Sequence, residues 1–499
     1  MLKSLRFVGA SMLALGLAAP APAIQAPQEA SAPAFDFETG MQSYFQHLAA
    51  KRFREARAVT ATLARTAPNQ AVGKGLAAML DAAIVAAGKK DDEARRLFAS
   101  GEAATPDTPE LLGVVIPAFL IAERPDFAAM TLDRMIARAP DAVRTVDPRL
   151  VYATLRDTGE PKARVDDRRI ALAELGFGGA SGDYMASAAI RVLLERGRVD
   201  QAKALLADID APREVENLLI QRRYAVLWPA LAAQAGPGLE KSRQSSVRLA
   251  LQEYEESDND PEKLAGLINA YRYAGQTDDA MALRARLPAT PAAMADAGEQ
   301  TAWALNNLAL ALHSAGRPAE ADRLFATLNG ALPVNDWRVS MFINRAELPV
   351  SDGRYAEALP LIAAAEKERK SPYAEQLLRR LRYCSLAQLG RTAEAAALKP
   401  EVMAHAADAK APTIDGLLCA GNLADAEALA LRFLADPDFE EDFVRGLQPV
   451  ALTADDPSQW GDWSKLRARP AIAAAYAKLG RDLPAELIAP RPVAARPAN

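Results

Sequence analysis

The chain has 499 residues, with 59 Lys and Arg against 64 Asp and Glu and a formal net charge of −5. Half of the residues are apolar, only 6% are aromatic, and roughly a fifth are alanine. A chain this apolar is not disordered, its acidic balance gives no electrostatic reason to bind nucleic acid, and two cysteines exclude a disulfide-dense scaffold.

Residues 1–23 are typical of a secretory signal peptide. Lys3 and Arg6 precede an uncharged apolar run, and small residues lead up to a cleavage site after Ala23. The run is shorter than the ~20 apolar residues that span a bilayer. We therefore expect an exported chain, periplasmic or secreted, with no integral membrane segment after cleavage. Residues 24–40, rich in proline and alanine, are predicted to be a flexible linker.

A six-residue pattern recurs through much of the remaining chain. Each copy has a glycine, a usually polar residue, two variable positions, an Asp, Glu or Gln, and an alanine. The six copies are Gly197-Arg198-Val199-Asp200-Gln201-Ala202, Gly275-Gln276-Thr277-Asp278-Asp279-Ala280, Gly316-Arg317-Pro318-Ala319-Glu320-Ala321, Gly353-Arg354-Tyr355-Ala356-Glu357-Ala358, Gly390-Arg391-Thr392-Ala393-Glu394-Ala395 and Gly421-Asn422-Leu423-Ala424-Asp425-Ala426. Successive glycines lie 78, 41, 37, 37 and 31 positions apart. These steps are typical of two-helix repeats, the first step covering two of them.

Each position of the pattern has a physical role in a pair of antiparallel helices. The glycine predicts a left-handed residue that ends the first helix. The acidic residue falls in the first turn of the second helix, where it meets the positive end of the helix dipole. The alanine is expected where the two helices cross. Flanking apolar residues recur at i, i+3, i+4 and i+7, which indicates helices rather than strands.

Residues 302–333 resemble a tetratricopeptide repeat, a helix–turn–helix unit of about 34 residues. The positions that carry the resemblance are Leu305, Leu308, Ala309, Leu312, Gly316, Ala321, Phe325, Leu328 and Pro333. The next unit matches with Phe342, Ala346, Gly353, Ala358, Ile362 and Ala365. Three more degenerate units are marked by Ala56, Leu63 and Pro68, by Ala94 and Phe98, and by Ala128, Leu132, Met135 and Pro140. The resemblance implies an all-α, right-handed superhelical solenoid of antiparallel helix pairs.

The organisation that follows from the repeats places degenerate helical repeats at 41–175 and clearer tetratricopeptide-like repeats at 183–440. Residues 441–485 are expected to cap the array, and residues 486–499 form a proline-rich tail. The glycine-rich stretch 176–182 looks like a phosphate loop, but it lacks the strand that such a loop follows. We predict a hinge or loop there.

Few residues suggest chemistry, and we predict no catalytic, cofactor or metal site. Asp258 and Asp260 hint at calcium, but the segment lacks the glycine and glutamate of an EF-hand, which favours a solvated loop. Cys384 and Cys419 lie in the first helices of successive units. A disulfide is geometrically possible in an oxidising compartment, although buried free thiols are the favoured interpretation.

Polar residues on the first helices of three consecutive units form the candidate binding groove. They are Asn306, Asn307, His313, Asn344, Arg345, Arg379, Arg380 and Tyr383. In the family that the chain resembles, first helices line a concave groove in which peptides or partner segments lie. Asn and Arg side chains can hydrogen-bond an extended backbone or hold a carboxylate. The alternative is a solvated helix face without a partner.

The sequence supports a non-enzymatic scaffold that binds a protein or peptide. The resemblance implies a role in cell-envelope assembly, secretion or polysaccharide export, where such repeats serve as adaptors. The alternative is a periplasmic glycan-binding or glycan-processing helical protein. That function needs a groove lined with aromatic residues and carboxylates, and apart from Trp303 and Trp337 the aromatic content is thin.

Overall fold

The computed structural model describes most of the chain, in segments 37–65, 70–144, 146–156, 158–177, 183–296, 298–333, 337–368, 370–450, 452 and 461–489. The predicted signal peptide, most of the linker, residues 178–182 and the end of the tail lie outside these segments. The described residues form no β-strand, only an isolated bridge between Gln221 and Gly480. The all-α prediction is confirmed.

The chain divides into two compact units, the first ending at Arg196 and the second beginning at Gly197. The helices of the first unit are α1 (Phe37–Ala49), α2 (Phe53–Leu63), α3 (Gln70–Ala87), α4 (Asp91–Ala104), α5 (Leu111–Ile121), α6 (Pro125–Arg138), α7 (Pro140–Val143), α8 (Pro148–Thr154), α9 (Lys162–Glu174) and α10 (Asp183–Glu195).

The second unit contains eighteen α-helices among its described residues. They are α11 (Val199–Ala204), α12 (Pro212–Ile220), α13 (Trp228–Ala235), α14 (Glu240–Glu255), α15 (Pro261–Ala274), α16 (Thr277–Ala282), α17 (Pro291–Ala295), α18 (Glu299–Ser314), α19 (Pro318–Ala331), α20 (Arg338–Ser351), α21 (Tyr355–Ala365), α22 (Pro372–Gln388), α23 (Thr392–Ala404), α24 (Lys410–Cys419), α25 (Leu423–Phe433), α26 (Phe439–Gly446), α27 (Trp463–Arg467) and α28 (Pro470–Leu479). Short 3₁₀ helices cover Leu205–Asp208, Arg222–Leu227, Pro237–Leu239, Leu283–Arg286, Ala406–Asp408 and Ala485–Leu487.

Consecutive helices pack in pairs in both units. The pairs are α1 with α2, α3 with α4, α5 with α6, and α9 with α10 in the first unit, and α15 with α16, α18 with α19, α20 with α21, α22 with α23, and α24 with α25 in the second. This arrangement is compatible with a helical repeat solenoid.

The turns within the pairs have the predicted conformation. All six glycines of the pattern have positive φ angles, from 70° at Gly390 to 76° at Gly421. At Gly316 the amide donates to the carbonyl of His313 over 2.9 Å, and the amide of Arg317 donates to the carbonyl of Leu312 over 2.9 Å. These two bonds define a Schellman motif, which satisfies carbonyls at the end of the first helix.

Three turns of the first unit have this conformation without glycine, whereas the turn after α9 has it at Gly176, with a φ angle of 65°. Lys51, Lys89 and Glu123 have φ angles of 56°, 58° and 57°. Each of these turns has the same two backbone hydrogen bonds, for example from Arg124 N–H to the carbonyl of Phe119 over 2.9 Å. The degenerate units recognised before residue 180 are therefore helix pairs of the same kind. The glycine-based pattern missed their turns because another residue occupies the left-handed position.

The alanine five positions after the turn residue is buried in nine of these turns, those at the six pattern glycines and at Lys51, Lys89 and Glu123, as the packing of two crossing helices requires. These alanines are Ala56, Ala94, Ala128, Ala202, Ala280, Ala321, Ala358, Ala395 and Ala426. The apolar positions of the repeat at 302–333 are buried as well. Each large apolar side chain contributes about 1.5–3 kcal/mol when fully buried, so the repeat pattern marks the core.

Helix α3 is the only helix in the described part of the chain long and apolar enough, by length and composition, to cross a membrane. Half of that apolar stretch is buried inside the fold. The helix packs against α2, α4 and α5. Its approach to α4 is close, because a Cβ atom added to Gly101 would lie 2.8 Å from the carbonyl oxygen of Gly75. This packing accounts for the apolar composition of α3.

The last helices of the second unit pack against helices near the start of the same unit. Helix α26 contacts α12, and the amide of Arg481 donates to the carbonyl of Ile220 over 2.8 Å. The helices that contact one another in turn around this unit are α12, α14, α15, α18, α20, α22, α24 and α26. The segment expected to cap an open array therefore also packs on the start of the same unit, which makes the second unit a closed series of helices.

Candidate binding surface

Side chains on successive first helices bond to one another, so the candidate groove residues take part in joining the repeats. The amide Nδ2 of Asn344 on α20 donates to Oδ1 of Asn306 on α18 over 2.8 Å. Nε2 of His313 lies 2.9 Å from Oδ1 of Asp352, at the end of α20. Burial opposes ionisation of Asp352, but hydrogen bonds from His313 and Arg354 outweigh it and hold the pKa of Asp352 below its ordinary value.

Arg380 is the centre of a buried ion network, and only 1% of its surface is exposed. Its guanidinium bonds to Glu347 on α20 and lies 3.7 Å from Asp415 on α24. Asp415 also accepts from the amide of Gly461 over 2.7 Å and from the indole of Trp463 over 2.9 Å. Arg380 therefore connects three first helices and the C-terminal segment.

Two further candidates are buried beside these contacts. The hydroxyl of Tyr383 accepts from Nδ2 of Asn422 over 2.6 Å, and burial raises the pKa of Tyr383 above its ordinary value. Asn306 is as buried as Arg380. Asn306, Arg380 and Tyr383 are therefore used inside the chain and present almost no surface to a partner.

Arg345 and Arg379 lie on first helices but bond to second helices. Arg345 pairs with Asp322 on α19 over 2.9 Å. Arg379 pairs with Glu401 on α23 over 3.0 Å, and with Glu375 of its own helix over the same distance. These two arginines therefore differ from the remaining candidates in their bonding partners. The partners of the remaining candidates lie on neighbouring first helices or at the ends of those helices.

Of the candidates other than Arg345 and Arg379, Asn307, His313 and Asn344 are partly exposed, and we refer to these three residues as the accessible face. Asn307 uses one amide hydrogen on the carbonyl of Ala265, over 3.3 Å. Asn344 uses one amide hydrogen on Asn306. The side-chain carbonyl of Asn344 has no acceptor role among the described residues, so this amide retains both an acceptor and a donor for another molecule.

A second polar network, which sequence analysis missed, lies where the second unit closes. Nη1 of Arg445 donates to Oδ1 of Asn217 over 2.7 Å, and Nη2 of Arg445 lies 3.2 Å from Glu216. Nδ2 of Asn217 donates to Glu441 over 2.7 Å. The sequence signal is weak: Glu216 and Asn217 stand between the apolar residues Val215 and Leu218, and the repeat phase is lost in this stretch.

The two cysteines are joined in a disulfide, with their Cα atoms 5.5 Å apart. It links α22 to α24, and both residues are buried. The structure thus differs from the favoured interpretation of two free thiols. The pairing is possible because the first helices of successive repeats lie side by side.

The acidic loop that hinted at calcium has a local explanation. The carboxylate of Asp260 accepts from the amide of Glu262 over 2.8 Å and caps the N-terminus of α15. Asp258 and Asn259 have left-handed backbone conformations, with φ angles of 50° and 66°. Across the described residues, no group of three or more His, Cys, Asp or Glu side chains is placed to hold a metal ion.

No model of a known protein family matches the chain, and no curated protein matches it either. The structure therefore establishes the fold at the level of an all-α chain with paired helices, compatible with a helical repeat solenoid.

Proposed function

We propose that this chain is a non-enzymatic, exported tetratricopeptide-like adaptor that binds a protein or peptide partner. The accessible face of Asn307, His313 and Asn344 is where the partner would lie. The observation that supports this proposal most directly is the free hydrogen-bonding capacity of Asn344, whereas Asn306 on α18 and Arg345 on α20 bond within the chain. Cell-envelope assembly, secretion or polysaccharide export is the setting that the resemblance implies.

The chemistry of the accessible face suits an extended polypeptide. A peptide backbone offers alternating donors and acceptors, and an asparagine amide can bond to both at once. His313 adds an imidazole on the same helix as Asn307. Asn307 and Asn344 carry no charge, and Nε2 of His313 is already engaged by Asp352 over 2.9 Å. We therefore expect recognition through main-chain hydrogen bonds more than through net charge.

The glycan-binding alternative has less support. Stacking of a sugar ring requires an open aromatic face. Trp303 and Trp337 are partly buried and pack against a core cluster whose residues come from the segment that runs from α14 to α20. The indole of Trp303 also lies 3.4 Å from Glu299 on its own helix.

Site-specific photo-crosslinking in the native host tests the proposal. A photo-reactive amino acid replaces Asn344, and a matched control replaces Glu357, an exposed residue on the second helix of the same repeat. We expect one polypeptide to be captured at position 344 and not at position 357. The substitutions Asn307→Ala and His313→Ala together should reduce that capture, with the melting temperature measured to verify folding.

Equal capture at both positions, or capture that survives the double substitution, would contradict the accessible face as a binding surface. Crosslinks only to sugar-containing material would favour the glycan alternative. Crosslinks only between copies of the chain would indicate self-assembly instead.

A further inference from the structure

Most buried arginines of this protein have acidic or amide partners. Arg168 is bonded to Asp133 over 2.6 Å and to Glu160 over 3.0 Å. Arg380 lies between two carboxylates, and Arg445 bonds to a glutamate and an asparagine, as described above. This is the expected pattern, because burying a cation without an acceptor is strongly unfavourable.

Arg272 departs from the pattern. It lies in the last turn of α15 and is 8% exposed, as buried as Arg445. Within the part of the chain that the structure describes, its guanidinium makes no hydrogen bond and no ion pair, and its Nε is buried without an acceptor. Its one specific contact is with the ring of Tyr273, whose centroid lies 4.5 Å from the guanidinium carbon. The helix dipole at this end offsets only part of the charge.

A second arginine lies at the same end of α15. Arg243 on α14, which packs against α15, donates from Nη1 to the carbonyl of Ala274 over 3.2 Å and also bonds to Glu240. Its Nε is buried without an acceptor, like that of Arg272. Two guanidinium groups therefore retain unused donors at one helix end.

We propose that Arg272 is the centre of an oxyanion-binding site, which takes a carboxylate or phosphate group. The planar guanidinium can donate two parallel hydrogen bonds to two oxygens of such a group. Tyr273 holds the guanidinium from one side by a cation–π contact. The inference does not rest on the proposed partner-binding function, since it concerns α14 and α15 and can be tested with simple anions.

Thermal unfolding in the presence of small anions tests the site. The full chain is melted in sodium chloride, sodium acetate and sodium phosphate at equal ionic strength and pH. We expect acetate or phosphate to raise the melting temperature of the unmodified protein by a few degrees, because a ligand that binds only the folded state stabilises it. If only acetate raises the melting temperature, the site takes a carboxylate group. If only phosphate raises it, the site takes a phosphate group.

The variant Arg272→Met should lose this response. The matched control Arg248→Met, an exposed arginine on α14, should retain it. In chloride alone, Arg272→Met should melt at or above the temperature of the unmodified protein, because it removes an unpaired buried charge. Should Arg272→Met fail to fold, Arg272→Lys, which keeps the charge but not the planar fork, is expected to show a weakened response.

The proposal would be overturned if neither anion raised the melting temperature more than chloride did. It would be overturned equally if Arg272→Met responded to the anions as strongly as the unmodified protein, since the anions would then bind elsewhere.

Discussion

The two units of this protein make the same helix–turn–helix turn with different residues. In the second unit the left-handed position is glycine, which adopts it freely. In three turns of the first unit it is Lys51, Lys89 or Glu123, with nearly the same hydrogen bonds. Among the described turns of this kind in that unit, only the turn after α9 uses a glycine, Gly176. A side chain in that conformation costs on the order of 1 kcal/mol. The packing of the two helices therefore dictates the turn, and glycine only lowers its cost.

The units also differ in how completely they bury charge. The buried arginine of the first unit, Arg168, bonds to Asp133, whose side chain is 31% exposed. In the second unit, Glu347 and Asp415 beside Arg380 are 6% and 2% exposed. Water can thus stabilise an unpaired carboxylate in the first unit but not in the second.

The largest contrast is expected from removing these two arginines. Arg380→Met removes the buried cation beside Glu347 and Asp415 and should lower the free energy of unfolding by about 3–5 kcal/mol. Arg168→Met should cost less, about 1–3 kcal/mol, because its partners can be rehydrated. Hydrogen exchange of the α22 and α9 amides measures each effect locally. Equal losses would show that exposure of the partners does not decide the cost.

The disulfide provides the next contrast. Replacing Cys384 and Cys419 by alanine opens a loop of 35 residues and should destabilise the second unit by about 2–4 kcal/mol. Hydrogen exchange of the backbone amides in the first unit should not change. Mass spectrometry after alkylation of the unreduced protein checks the bond itself, and two alkylated thiols in the exported protein would contradict it.

A smaller effect should be common to both units. Ala321→Leu and Ala94→Leu each place a larger side chain where two helices cross, and each should destabilise by about 1–3 kcal/mol through overpacking. Chemical denaturation measures the loss. If Ala94→Leu were tolerated and Ala321→Leu were not, the first unit would be more loosely packed at its crossings.

Exchanging the turn residues should give the smallest effects, with opposite signs. Lys89→Gly relieves the left-handed conformation and should stabilise by about 1 kcal/mol, whereas Gly316→Lys should destabilise by about the same amount. A Cβ atom added at Gly316 meets no neighbour within 4 Å, so the conformation alone sets the cost there. Loss of stability in Lys89→Gly would mean that the lysine side chain stabilises the turn.

Much of the fold could be predicted because its determinants are local. Gly316, Ala321 and Phe325 lie within one repeat, and their spacing alone requires a turn, a helix crossing and a buried ring. The turns at Lys51, Lys89 and Glu123 were missed because non-glycine residues give no signal for left-handed backbone.

The candidate site was harder to predict than the fold. Helical periodicity placed Arg345 and Asn344 on one first helix, but it could not show that Arg345 bonds to a second helix while Asn344 bonds to a first helix. Nor could it show that Arg380 is buried, since the partners Glu347 and Asp415 lie more than 30 residues away on each side. The hydrogen bond between Asn217 on α12 and Arg445 on α26 joins residues 228 positions apart. A contact between residues so far apart produces no periodic pattern in the sequence.

The contact between α12 and α26 limits how the second unit can change in length. An open repeat array can gain or lose one helix pair at an end without disturbing the rest. Here the loss of one pair would displace α26 from α12 by about one interhelical distance, 8–10 Å, and would separate Arg445 from Glu216. The number of repeats is therefore fixed by the fit between the two ends, so insertions are expected in loops and not as whole repeats.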